Sequence, residues 1–168
     1  QTLSEPDVCD LIIAELRRTK LDPSALTFEV TETVAIANML LAEVFLGKLR
    51  AIGCSTALDD FGSGMSSFAY LRELPVDYVK IDGRFVRNMA TNTVDQAMVR
   101  AMNDIAHALG KRTIAEFVEN EECYRLLCEY GVDYAQGMYL GRPESIAAVT
   151  GGVSSVSTDK RIAYLKPR

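Results

Sequence analysis

Apolar residues recur along the chain with two alternating periods. Val8, Leu11, Ile12 and Leu16 fall at helical spacing behind Ser4, a good capping residue, so the sequence predicts a helix over residues 4–19. Residues 26–31 (LTFEVT) form a short β-prone run. Helical spacing returns over residues 34–52, with Leu40, Leu41, Val44, Phe45 and Leu49 on one broad face and Gly53 as the stop. A strand follows at 54–61 (CSTALDDF), then the glycine-rich turn Gly62-Ser63-Gly64, a short helix over 67–74 ending before Pro75, and a strand at 77–82 (DYVKID). The next helix, 94–109, carries Val94, Met98, Ile105 and Leu109 as its apolar stripe; Thr93 and Gln96 are spaced as a capping box, and Gly110 ends it. Residues 112–118 (RTIAEFV) read as the fourth strand. Asn120 caps a helix that stops at Gly131, and 134–140 (YAQGMYL) is the fifth strand.

Strands alternating with helices predict an α/β fold with about five parallel strands. No repeat beyond that alternation is read. Residues 1–150 are taken as one domain. The tail, 151–168, opens on the small polar run GGVSSVST and holds one further strand or a loose end near 161–166.

A strand buried on both faces should be a near-continuous apolar run. All five strands break that rule towards their C-terminal ends: Glu29 within FEV, Asp59 and Asp60 after TAL, Lys80 in VKI, Glu116 after TIA and Gln136 after YA. Ionised groups rarely take such positions unless paired or bound to metal. In a barrel, those strand ends build the face that carries chemistry. Carboxylates suit hard divalent cations such as Mg²⁺ or Mn²⁺, and the adjacent pair Asp59-Asp60 could bridge two ions clamping an in-line phosphoryl displacement. Lys80 and Glu116 are then the candidates for positioning and deprotonating the attacking water.

Each residue also has a plainer reading. Glu29 and Glu32 could be exposed acids, Asp60 a turn residue, Lys80 a side chain extending to solvent, and Glu119 an acid favoured at a helix start. Those readings need the same coincidence at five strand ends, and the site is favoured over them.

Charge and cysteine content narrow the partners. A formal charge of −5 argues against a nucleic-acid polymer, which selects a basic face, but not against a small phosphorylated ligand whose charge is met by metal. No apolar run reaches the ~18 residues of a membrane span. Cys9, Cys54, Cys123 and Cys128 are scattered, without zinc spacing, and read as reduced, buried thiols of a cytoplasmic protein.

Five segments, FEVTE (28–32), LDDFGSGMSSF (58–68), VKIDGRFV (79–86), IAEFVEN (114–120) and YAQGMYLGRP (134–143), resemble in order and spacing the bacterial EAL-domain phosphodiesterases of cyclic-di-GMP. The resemblance implies part of a modified (β/α)₈ TIM-type barrel that hydrolyses cyclic-di-GMP to linear pGpG at a two-metal Mg²⁺ or Mn²⁺ site. By motif, Glu29 and Asp59 correspond to metal ligands, Asp60 to a ligand of the second metal, Lys80 to the lysine holding the catalytic water, and Glu116 to a metal ligand or general base. Glu119 and Gln136 correspond to supporting residues. Glu32 corresponds to the anchor of the substrate-side loop Phe61, Gly62, Ser63 and Gly64, which couples ligand, metals and dimerisation in that family. Phe117 departs from the family's commoner glycine. The Glu-Ala-Leu segment, an Asn-Leu-Ser strand and the first three strands are not found in this sequence. It is therefore expected to be a piece of a longer protein, inactive by itself and prone to self-association, for instance as a homodimer. Upstream regulatory or GGDEF-type domains and a membrane anchor are compatible with such a parent. The alternative function is a non-catalytic cyclic-di-GMP receptor or regulatory module.

Overall fold

The computed structural model describes residues 7–64, 68–143 and 163–164. In chain order these form α1 (Asp7–Thr19), a 3-10 turn (Pro23–Ala25), β1 (Thr27–Thr31), α2 (Glu32–Ala37), α3 (Met39–Ala51), β2 (Ser55–Phe61), a second 3-10 turn (Phe68–Arg72), β3 (Tyr78–Ile81), α4 (Gly83–Val86), α5 (Thr93–Ala108), β4 (Arg112–Ala115), α6 (Glu121–Tyr130), β5 (Tyr134–Ala135) and β6 (Ala163–Tyr164). Five parallel strands alternate with helices, as the hydrophobic pattern predicts. Among the described residues, no helix is long and apolar enough to cross a membrane. The chain divides into two compact units, residues 1–80 with 105–111, and residues 81–104 with 112–168.

In the first unit, β1 pairs in parallel with β2, setting Glu29 opposite Ala57 and Thr31 opposite Asp59; β3 follows β2 in the strand order. Cys9 and Leu16 of α1, Leu49 of α3 and Cys54 form a buried cluster, with Ile12, Leu26, Phe28, Phe45 and Ile52 packed against it. Burying each large aliphatic side chain contributes roughly 1.5–3 kcal/mol. The predicted stripe of α1 shifts by one position: Cys9 is inside and Leu11 outside. Ser4, its predicted cap, lies outside the described residues.

The single helix predicted over 34–52 is two. Asn38, at φ −141° and ψ 57°, ends α2 and starts α3. The buried row of α3 is Ala42, Leu46 and Leu49, whereas Leu40, at 72% exposure, and Leu41 and Val44 face outward. Apolar residues encircle α3, so their spacing alone could not select the packed face.

In the second unit, β4 and β5 run parallel, with Ile114 opposite Tyr134 and Ala115 opposite Ala135; β6 pairs antiparallel with β5. The residues following Ala135 leave the ladder earlier than predicted: the Leu140 and Gly141 N–H groups both donate to Gly137 O, forming a turn. The α5 stripe is also corrected. Val99, Met102 and Asn103 are buried, while Val94 and Met98 are exposed. Asn103 hides this face from a hydrophobicity count, yet its amide is satisfied, donating to Tyr130 O at 3.0 Å and accepting from Thr113 Oγ1 at 2.5 Å. The cap of α5 is Asn92, whose Oδ1 accepts from Val94 N at 2.9 Å, rather than Thr93; Gln96 donates to Met89 O. The α6 ends follow the sequence reading: Asn120 accepts from Cys123 N at 2.9 Å, and Gly131 at φ 72° closes the helix. All four cysteines are free thiols, three of them buried.

A repeat not read from the sequence becomes visible in the backbone. Gly53-Cys-Ser-Thr56 and Gly110-Lys-Arg-Thr113 enter β2 and β4 through glycines at φ 98° and 70°, and Asp60 and Phe117 leave those strands at φ 56° and 54°. Val76-Asp-Tyr-Val-Lys80 and Val132-Asp-Tyr-Ala-Gln136 enter and traverse the following strands. Asp59 thereby corresponds to Glu116, and Lys80 to Gln136.

Candidate active site

Three of the candidate residues meet inside the first unit. Asp59 and Glu29 lie on strands in register, two positions apart along the ladder, and therefore on one face. Lys80 Nζ, on β3, lies 2.7 Å from Glu29 Oε2 and 2.8 Å from Asp59 Oδ1. Lys80 is 6% exposed, so its ammonium has left water, and two carboxylates compensate for that loss. Asp59 Oδ1 is buried yet receives no aligned hydrogen bond, leaving lone-pair capacity that a cation could use.

Beside this cluster the chain leaving β2 turns sharply. Asp60 is left-handed at φ 56°, a conformation Asp tolerates better than most residues, and Gly62 follows at φ 93°. Phe61 is fully buried, its ring 5.2 Å from that of Phe68. Glu32, only 1% exposed, holds the turn from beneath. Its Oε2 accepts from Gly64 N at 2.9 Å and Ser63 Oγ at 3.3 Å, and its Oε1 accepts from the Tyr70 hydroxyl. Burial, and then the Glu32 carboxylate, push the Tyr70 phenol well above its ordinary range. Tyr70 is a site residue that sequence reasoning missed; its only signal was a buried-type aromatic spaced after a glycine turn.

The second unit carries the remaining candidates. Glu116 is buried, at the end of β4, and its N–H donates to Ile81 O at 3.3 Å. Phe117 follows at φ 54° with the Arg87 guanidinium 4.0 Å over its ring. Glu119 is exposed, 3.7 Å from Arg87. Gln136 donates its N–H to Ala115 O at 2.8 Å and accepts from Val118 N at 3.0 Å, while its side chain is exposed. The sequence reading singles out neither Gly83 nor Arg87, and notes Phe117 only as a departure from the family's commoner glycine.

A family model described as "EAL domain" matches residues 1–143. The chain belongs to the EAL domain family. Over 121 residues this EAL chain is 53% identical to the cyclic di-GMP phosphodiesterase PdeB of Shewanella oneidensis, covering 72% of the chain and 14% of that protein. Over 131 residues it is 37% identical to the cyclic di-GMP phosphodiesterase PdeF of Escherichia coli, covering 78% and 18%. The chain thus spans under a fifth of the length of these curated relatives. Among solved structures, it resembles the PaMucR phosphodiesterase in complex with c-di-GMP with a TM-score of 0.83 and 34% identity, covering 88% of the chain and 60% of that structure. The FimX EAL domain from Pseudomonas aeruginosa bound to c-di-GMP gives 0.81 and 28%, covering 85% and 59%.

Proposed function

We propose that this EAL chain carries part of a metal-dependent site that hydrolyses cyclic-di-GMP to pGpG in bacterial second-messenger signalling. The observation that carries the reading is the bridge from Lys80 to Glu29 and Asp59, set at strand ends in a chain so similar to named cyclic-di-GMP phosphodiesterases.

Glu29, Asp59, Asp60 and Glu116 are the acids we assign to Mg²⁺ or Mn²⁺; their all-oxygen donor set, and the buried Asp59 Oδ1 that meets Lys80 without an aligned hydrogen bond, suit a hard cation. Such ions supply Lewis acidity towards a phosphoryl oxygen and acidify a bound water. The Lys80 ammonium holds Glu29 and Asp59 in place, and Lys80 is assigned the positioning of the attacking water. Glu116 is assigned the proton taken from that water. Glu32 fixes the turn of Phe61, Gly62, Ser63 and Gly64 against which the substrate is expected to lie. Gln136 and Glu119 are assigned supporting places around Glu116.

The test is incubation of the intact domain with cyclic-di-GMP and Mn²⁺, with chromatographic separation of the products. Linear pGpG, lost in Lys80→Met and Glu116→Gln, is the expected result. Binding of cyclic-di-GMP by calorimetry without any product would replace the enzyme reading with that of a receptor module.

A further inference from the structure

Phe117 is in a backbone conformation that an aromatic residue adopts only under constraint. A φ of 54° is uncommon for any residue with a Cβ and a genuine outlier for a bulky one. Its repeat counterpart, Asp60, is an acid that accepts this conformation readily. Strain of this kind persists only where the surroundings over-determine it.

Those surroundings are specific. The Phe117 ring occupies the space that a side chain at position 83 would need: a Cβ built on Gly83 would stand 2.1 Å from Phe117 Cδ2 and 2.7 Å from Cγ. Arg87, one turn along from Gly83, covers the ring with its guanidinium at 4.0 Å and reaches Glu119 at 3.7 Å. On the other side, a Cβ on Gly137 would stand 2.3 Å from the Val118 N and O atoms, where the Val118 N–H donates to Gln136 O and the Tyr139 N–H donates to Val118 O, each at 3.0 Å. The chain leaving Glu116 therefore passes between two glycines, and the absence of a side chain at Gly83 leaves room for the half-exposed Phe117 ring.

We propose that Phe117, seated on Gly83 beneath Arg87, is a positioning residue for Glu116. The φ of residue 117 sets how the chain turns as it leaves Glu116, so the ring that locks this angle also locks where the carboxylate points. A displacement of about 1 Å at such a group is enough to cost ~10²-fold in rate. The inference rests on the phosphodiesterase reading for its kinetic arm, but not for its metal-binding arm.

The experiment compares Phe117→Ala, Gly83→Ala and the pair Gly83→Ala/Phe117→Gly in the intact domain. Each is measured for kcat and KM on cyclic-di-GMP, Mn²⁺ binding by electron paramagnetic resonance, and thermal melting. Phe117→Ala and Gly83→Ala are each expected to lower kcat at least tenfold with KM within twofold, and to raise the Mn²⁺ midpoint at least tenfold. The pair removes the clash and places glycine at the left-handed position, and is expected to return both quantities to within threefold of the parent. Should Gly83→Ala fail to fold, Phe117→Ala and the pair carry the comparison. An unchanged kcat and Mn²⁺ midpoint in Phe117→Ala, or a cooperatively melting pair no better than Phe117→Ala, overturns the proposal. Absence of any hydrolysis by the parent domain defeats the phosphodiesterase reading instead, and the Mn²⁺ midpoints then decide the positioning role alone.

Discussion

One carboxylate oxygen of Asp77 accepts both the backbone N–H of Thr56, at 2.8 Å, and its hydroxyl, at 3.2 Å. Asp133 takes the same two groups of Thr113 at the same two distances. In each case an acid at the entrance of one strand fixes the entrance of the strand before it. These contacts lie at the N-terminal strand ends, where a β/α fold places its stability rather than its chemistry.

Asp77→Ala and Asp133→Ala should therefore each destabilise the fold by about 2 kcal/mol, the range for charge-assisted hydrogen bonds. Urea unfolding of each variant reads this directly. A loss under ~0.5 kcal/mol in either would show that water replaces the carboxylate at little cost.

Lys80→Met removes the cation between Glu29 and Asp59 and leaves a buried carboxylate oxygen uncompensated. With metal chelated, the variant should melt earlier, by an amount equivalent to about 2–3 kcal/mol. Mn²⁺ should then raise its melting temperature more than that of the parent, because two acids await a positive charge. Activity should fall at least ~10²-fold. Equal responses of variant and parent to Mn²⁺ in scanning fluorimetry would argue that these acids do not take metal.

Glu32→Gln keeps the shape but weakens acceptance from Gly64 N, Ser63 Oγ and the Tyr70 hydroxyl. A cost of about 1–3 kcal/mol is expected, concentrated in the turn. Hydrogen exchange should quicken at Gly64 well before it quickens in β2. Uniform quickening across both would mean that Glu32 supports the whole unit.

Tyr70 links the same anchor to pH. Its pKa is raised in the fold, by burial first and the Glu32 hydrogen bond second. Above about pH 10 the unfolded chain releases the phenol proton while the folded one retains it, so stability declines with rising pH. The contribution is complete below that pH. Tyr70→Phe should flatten the alkaline decline in denaturation midpoints between about pH 9 and 11. An unaltered slope would assign the decline to other groups.

The amino-acid sequence determined the strand–helix alternation, the α6 caps at Asn120 and Gly131, and the polar residues at the strand ends. Each is a local property, carried by spacing or by one residue's conformational preference. The repeat was also present in the letters, but its matching glycines, threonines and Val-Asp-Tyr runs are separated by unlike residues. Only shared backbone angles and hydrogen bonds made them one pattern. Tertiary structure alone decided which side of α3 is buried, because its apolar residues surround the helix and only the neighbouring elements select a face. It also decided that Asn103 belongs inside, since long-range partners satisfy its amide. Lys80 meets Glu29 and Asp59, and Phe117 is held left-handed over Gly83, for the same reason. Desolvation of a charge and strain in a dihedral are offset only by groups far away in sequence, and their positions exist only once the chain has folded.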